Sequence, residues 1–203
     1  CLAGDYLIFC KYPVNMSMFS FLIKNKTMFD SLNSEPNKNT ELIVIDKKSL
    51  NLVKIVPLFP FYHFHYSNGF VEKNNILNID LIVYNNFENV INFTKEISEG
   101  NFDVSKSQPN LMRLKIDLNK GSLIEKINLF NYYCEFPVIS EKDQGKNYEN
   151  LYLLYNDQEK ASFFNKIGKL NVKNRSLKTN DLGNHMFPSE VNIIDVKDKQ
   201  YLI

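Results

Sequence analysis

Leu42-Ile43-Val44-Ile45-Asp46-Lys47-Lys48-Ser49-Leu50 runs on into Leu52-Val53-Lys54-Ile55: an apolar, β-branched run, a polar turn, and a second such run. That order predicts a β-hairpin. Branched side chains suit a pleated surface, and Asp, Lys and Ser suit a reversal of the chain. The same order returns twice. Met112-Arg113-Leu114-Lys115-Ile116-Asp117 passes through Asn119-Lys120-Gly121-Ser122 to Leu123-Ile124-Glu125-Lys126-Ile127. Ile167-Gly168-Lys169-Leu170-Asn171 passes through Lys173-Asn174-Arg175-Ser176 to Leu177. With Asp46, Asp117 and Asn171 aligned, the hairpins recur at intervals of 71 and 54 residues.

Intervals of roughly blade size predict a β-propeller with insertions between strands, and a β-sandwich with similar turns is the competing reading. Working outward, Tyr6–Cys10, Ile79–Tyr84 and Leu151–Tyr155 are further short apolar runs bounded by Asn, Asp, Gly or Pro, and read as strands. Helical periodicity is poor throughout; its best stretch is Asn89–Ile97. The expected fold class is all-β. About three blade-like units are visible, whereas a propeller closes only with all its blades. The chain enters a strand almost at Cys1 and stops in one at Gln200–Ile203. Residues 1–203 are therefore expected to be a piece of a single propeller domain, without its N-terminal blades and its C-terminal end.

At 203 residues, with 44% hydrophobic residues and 13% aromatics, the chain can bury a packed core. A formal net charge of +1 gives no broad electrostatic reason to expect nucleic acid or an anionic membrane as partner. The aromatics are not interleaved with Lys and Arg as a nucleic-acid platform needs. Cys1, Cys10 and Cys134 are an odd number at unrelated spacings, which argues against a disulfide framework or a structural zinc site and for a reducing compartment. The expected location is cytoplasmic. Asn-x-Ser/Thr matches at Asn15, Asn25, Asn92 and Asn174 are what a chain rich in Asn and Lys produces by chance. No nucleophile elbow, Walker loop or dinucleotide turn is present, and seven glycines leave little material for a phosphate cradle.

Val14–Ile23 carries Met16, Met18, Phe19, Phe21, Leu22 and Ile23. It is shorter than the roughly 20 apolar residues a membrane-spanning helix needs. It reads either as a buried insertion helix or lid, or as an apolar rim at a substrate entrance that makes peripheral membrane contact through residues 14–23.

Only three histidines occur: His63, His65 and His185. In Phe61-Tyr62-His63-Phe64-His65, strand alternation puts His63 and His65 on one face and Phe64 on the other. Both can converge on a metal, or one can face solvent, and two histidines do not complete a site. His185 falls in a polar turn and is expected to be solvent-exposed.

Several segments, taken in order, resemble the carotenoid cleavage oxygenase family, which includes apocarotenoid and lignostilbene oxygenases and the retinal pigment epithelial membrane proteins. Phe64-His65-Tyr66-Ser67-Asn68-Gly69-Phe70-Val71-Glu72 resembles the family's Phe-His-x-x-Asn-Ala-Tyr-Glu-Glu, and the strand with Asp80 and Tyr84 follows it as the family's Asp-x-x-x-Tyr strand does. Leu114–Leu118 with Asn119-Lys120-Gly121 is similar to its Arg-Phe-x-Leu-Asp-x-x-x-Gly hairpin. Cys134-Glu135-Phe136-Pro137-Val138-Ile139, followed by Gly145 and Tyr148, is similar to its Cys-Glu-Phe-Pro-x-Ile segment. Lys169-Leu170-Asn171 and Pro188-Ser189-Glu190-Val191 resemble its Lys-x-Asp strand and its Ser-Glu-Pro-x-Phe-Val. The first ten residues resemble the segment just after a His-Asp motif, which implies another ligand upstream of Cys1. The chain departs from the pattern at Gly69-Phe70-Val71, at Glu149-Asn150 after Tyr148, and at Val191 where Pro follows the glutamate.

The resemblance implies a seven-bladed β-propeller with iron(II) on its axis, held by four histidines from different blades. His65 matches the third of them in chain order. Glu135 and Glu190 match glutamates that accept the other ring N–H of ligand histidines, with Glu135 the expected partner of His65. His63 has no ligand counterpart and is assigned to packing or a hydrogen bond. The implied activity is that of a dioxygenase splitting a C=C double bond of a carotenoid, apocarotenoid or stilbene-like alkene into two carbonyls, with dioxygen as co-substrate. The competing readings are a non-catalytic propeller that binds an apolar ligand, and isomerisation at the same metal site. These 203 residues alone are expected to be inactive.

Overall fold

In the computed structural model each recurring hairpin forms two strands of a separate four-stranded antiparallel sheet. The structure describes residues 1–23, 28–100, 104–157, 163–183, 186, 188–197 and 199–203. The first sheet contains β1 (Leu2–Ala3) and β2 (Tyr6–Lys11). A two-stranded insertion, β3 (Val14–Met16) and β4 (Leu32–Ser34), follows with the short helix α1 (Met18–Ile23) between them. The first sheet then resumes with β5 (Glu41–Asp46) and β6 (Leu52–Pro57), in the order β1-β2-β5-β6.

The second sheet is a meander of β7 (Tyr66–Glu72), β8 (Ile76–Val83), β9 (Asn110–Asp117) and β10 (Ser122–Asn128). Helices α2 (Phe87–Glu99) and α3 (Val104–Ser107) lie between β8 and β9. The third sheet is a meander of β11 (Tyr133–Val138), β12 (Asn150–Asn156), β13 (Lys166–Asn171) and β14 (Leu177–Asp181). A final hairpin, β15 (Ile193–Val196) with β16 (Lys199–Leu202), meets the third sheet through Ser140 Oγ donating to Asp195 Oδ2 at 2.8 Å and Tyr152 Oη donating to Gln200 Oε1 at 3.0 Å.

The three sheets are successive blades of a β-propeller, as the hairpin spacing predicts. Their turns share one geometry. Asp46 Oδ1 accepts from the backbone N–H of Lys48 (3.1 Å) and Ser49 (2.7 Å). Asp117 Oδ1 does the same for Asn119 and Lys120 (both 3.0 Å), and Asn171 Oδ1 for Lys173 (3.0 Å) and Asn174 (3.1 Å). In each turn the residue four positions on, Leu50, Gly121 or Arg175, has positive φ and donates its N–H back to the first residue's carbonyl. Short polar side chains that satisfy the turn's own amides are the reason Asp and Asn recur there.

The core sits between the blades. Strand β8 is buried on both faces, which explains its nearly unbroken apolar run. Leu77, Ile79, Leu81 and Val83 pack with Ile8, Leu42, Val44 and Val56 of the first sheet. Ile82 and Tyr84 pack with Leu151, Leu153 and Leu154 of the third. The first strands of the blades lie close together: the Gly4 N–H donates to the Gly145 carbonyl at 3.0 Å, and Asn68 reaches the carbonyls of Asp143 (3.1 Å) and Lys146 (3.0 Å).

The helical content corrects the reading of poor periodicity: Asn89–Ile97 lies inside a 13-residue helix, α2. Its Val90 and Phe93 are buried against Tyr62 and Tyr84, so tertiary packing on one narrow stripe stabilises it. The reading of 14–23 as a buried insertion is also corrected. No residue of α1 is buried, and Phe19, Leu22 and Ile23 are 62, 65 and 68% exposed. No helix among the described residues is long and apolar enough to cross a membrane. His185 lies outside the described residues.

Candidate metal centre

The segment that carries the two aromatic-flanked histidines is not a regular strand. Tyr62 pairs with Tyr84, and Tyr66 with Leu81, so four positions on one side oppose three on the other. One extra residue breaks the alternation that would put His63 and His65 on a common face. His63 turns toward the first blade, with its ring centroid 5.6 Å from Tyr12 and 4.1 Å from Tyr66. Burial pushes its pKa down to about 3, and its Nδ1 makes no hydrogen bond. It packs as a neutral ring.

His65 turns toward the third blade instead. Its Nδ1 lies 2.8 Å from Glu135 Oε2, while its Nε2 stands 3.9 Å from Glu190 Oε1, too far for a hydrogen bond. The ring is 37% exposed and tilts against Phe136 at 5.2 Å between centroids. His65, Phe136, Pro137, Val138, Glu190, Val191 and Asn192 line a cleft of about 190 Å³. The hydrogen bond to Glu135 raises the His65 pKa, and burial opposes the shift.

Glu135 is fully buried on β11 beside Cys134. Its Oε2 also accepts the Phe136 N–H at 2.9 Å, and its Oε1 accepts the Tyr84 hydroxyl at 2.6 Å. Phe136 has a left-handed backbone, φ 54°, at the irregularity where β11 leaves its register with β12. Four of the carboxylate's surroundings are thus fixed: two donors from side chains, one from the backbone, and the aromatic wall. Glu190, at 69% side-chain exposure, lies at the open side of the cleft.

These residues fit a metal in one respect. A carboxylate on Nδ1 selects the tautomer that leaves Nε2 unprotonated, and here Nε2 borders a cleft with a second carboxylate beyond it. Among the described residues no group of three or more His, Cys, Asp or Glu is placed to hold a metal ion by itself. Tyr84, which reading by motif left without a role, is the unexpected member. Its signal was a spacing: Asp80 on β8 and Tyr84 one residue past its end are four apart in an extended run, which puts both on one face of an otherwise apolar element.

The sequence profile of the family described as "Retinal pigment epithelial membrane protein" matches residues 1–200. The chain is 26% identical over 152 residues to "Apocarotenoid-15,15'-oxygenase" of Synechocystis, an alignment covering 75% of this chain and 30% of the relative. It is 24% identical over 172 residues to "Carotenoid isomerooxygenase" of Galleria mellonella, covering 79% and 33%. The chain therefore spans about a third of the length of these curated relatives. Cobalt-substituted Synechocystis apocarotenoid oxygenase superposes with a TM-score of 0.79 at 21% identity, covering 99% of this chain and 42% of that one. A chimera of that oxygenase gives 0.81 at 21% identity, covering 98% and 40%.

Proposed function

The chain belongs to the retinal pigment epithelial membrane protein family, and on that premise we propose that the whole protein is an iron(II)-dependent oxygenase. Its substrate would be an apolar alkene, a carotenoid, apocarotenoid or stilbene-like molecule, and residues 1–203 would be one stretch of a single propeller domain. The observation that carries the reading is the His65 Nδ1 to Glu135 Oε2 contact of 2.8 Å beside the cleft. In this reading His65 is a metal ligand through Nε2.

When bound, the metal supplies the redox chemistry by which dioxygen adds across a C=C bond and two carbonyl groups result. Glu135 keeps the His65 proton on Nδ1 and aims the ring. Glu190, next to the same cleft, would act in the same way on a ligand supplied by another part of the protein. Phe136, Val138 and Val191 give the cleft an apolar wall that excludes water and sets how deep a polyene enters. The exposed apolar side chains of α1 would let the protein dip into a membrane surface where such substrates dissolve.

The test uses the intact protein. We expect bound iron in close to equimolar amount and aldehyde formation from an apocarotenoid, both lost in His65→Ala. A metal-free, inactive intact protein would favour a non-catalytic propeller that holds an apolar ligand. Iron retained with full turnover in His65→Ala would remove His65 from the site. An isomerised product without aldehyde would keep the metal centre and change the reaction.

A further inference from the structure

We propose that Tyr84 is a positioning residue of the His65 centre: its hydroxyl holds the Glu135 carboxylate in the one rotation that places Oε2 on His65 Nδ1 and leaves Nε2 facing the cleft. The inference deepens the metal reading above and rests on it.

A glutamate carboxylate rotates about its last bond with broad, weak preferences, so burial alone does not fix where its oxygens point. Here each oxygen has its own donor. Oε2 takes His65 Nδ1 and the Phe136 amide, and Oε1 takes Tyr84 at 2.6 Å. Glu135 is fully buried and follows Cys134, a member of the apolar core that also holds Tyr84, Ile82 and Leu153. Without the phenol, Oε1 would face apolar side chains, and a buried carboxylate oxygen without a donor is costly. The cheapest repair is a turn of the carboxylate, which draws Oε2 off the imidazole.

Tyr84 is suited to set a position because its surroundings enclose it. It is fully buried, its backbone pairs with Tyr62 in both directions, and its ring is held edge-on by Phe64 at 5.4 Å and Phe93 at 5.7 Å. Phe93 comes from α2, so this insertion braces the ring. Burial, joined by the neighbouring Glu135, pushes the phenol's pKa far up, which keeps it a donor. A second contact of the same form lies two repeats of the pleat away. Asp80, four residues before Tyr84, takes the Tyr148 hydroxyl of the third blade at 2.5 Å, and Tyr148 in turn touches Ser67, two residues past His65. Asp80 on β8 and Tyr84 just past its end thus tie both ends of the His65 segment to the third blade.

The experiment is a double-mutant cycle on the intact protein. Tyr84→Phe, Glu135→Gln and the double variant are compared for ferrous iron affinity, measured anaerobically by competition with a chromogenic chelator. Removing a partner of a metal ligand typically weakens binding about 10- to 100-fold, which is the loss expected for Glu135→Gln. Tyr84→Phe, one contact further out, is expected to weaken it about 3- to 10-fold, and the double variant to be within about twofold of Glu135→Gln alone. Tyr155→Phe is the control. That buried tyrosine bonds Thr179 at 2.6 Å on the far side of the third blade, and its loss should leave iron affinity unchanged. Should Tyr84→Phe fold poorly, Phe93→Leu loosens the seat of the ring and should weaken iron about twofold, an effect abolished by Glu135→Gln. A wild-type protein that takes up no iron would overturn the metal reading itself. Iron uptake with unaltered affinity in Tyr84→Phe, or losses that add in the double variant, would overturn the role of Tyr84 alone.

Discussion

Arg113 closes two nitrogens onto Asp80, Nε to Oδ1 and Nη2 to Oδ2, each at 2.7 Å. Asp80 is fully buried, the Arg113 side chain is 14% exposed, and its guanidinium lies 5.0 Å over the Phe70 ring. Such a planar, two-pronged contact inside the second blade is worth little against an apolar pair of the same shape, but losing one partner strands a buried charge. Arg113→Met should destabilise the intact protein by about 3 kcal/mol in urea unfolding. Arg113→Lys should recover only part of that, since an ammonium cannot make the fork. Equal stability of Arg113→Met and wild type would show that Tyr148 alone satisfies Asp80.

Gly69 faces Ala3 across the joint between the first two blades. A Cβ added to Gly69 would lie 2.9 Å from the Ala3 Cβ and 3.1 Å from the Leu2 carbonyl oxygen. The related motif has alanine at this position, so a consensus argument would restore it. The geometry predicts the reverse. Gly69→Ala should cost about 1–3 kcal/mol through overpacking, and adding Ala3→Gly should return more than half of it. Thermal unfolding of the single and double variants checks both parts.

How much of this is legible in the sequence varies with the range of the interaction. Asp46, Asp117 and Asn171 announced three hairpins because the amides they bond lie two and three residues away, and the blades follow from them. The outward face of α1 was not legible: Phe19, Leu22 and Ile23 are apolar in any setting, and only the fold decides whether something covers them. The pairing of His65 with Glu135 spans 70 positions. Motif likeness named both residues, but no local pattern carries their contact. The divergence of His63 from His65 turned on one extra residue between two paired positions, a feature that alternation rules cannot see.

The exposed patch on α1 should behave as a membrane contact. No residue of α1 is buried and Phe19, Leu22 and Ile23 are exposed, so Phe19→Ser, Leu22→Ser and Ile23→Ser together should shift the unfolding free energy by no more than about 0.5 kcal/mol. Burying such side chains in the acyl boundary stabilises binding by about 1.5–3 kcal/mol each when complete. The triple variant should therefore bind phosphatidylcholine vesicles at least about tenfold more weakly in sedimentation assays. Unchanged partitioning would sink the membrane role proposed for this helix while leaving the proposed role of His65 untouched.

The first hairpin turn supplies a pH test with its own internal control. Asp46 Oδ1 accepts from the Ser49 N–H at 2.7 Å, the Ser49 hydroxyl at 2.8 Å and the Lys48 N–H at 3.1 Å. These bonds, the Ser49 amide foremost, hold its pKa below the ordinary 3.8. A carboxyl whose pKa is lower in the folded than in the unfolded chain contributes stability that is complete above the unfolded value. That contribution is lost as pH falls through the folded one. The equivalent turn in the third blade uses Asn171, whose amide oxygen takes the same two backbone donors and does not titrate. Asp46→Asn should accordingly keep the turn and leave the urea midpoint near pH 7 little changed, while flattening the decline as pH falls below the ordinary carboxyl range. Asp46→Ala should lower stability at every pH, because the Lys48 and Ser49 amides lose their acceptor. If Asp46→Asn declined on acidification as steeply as the wild type, the acid sensitivity of this blade would have to come from another carboxyl group.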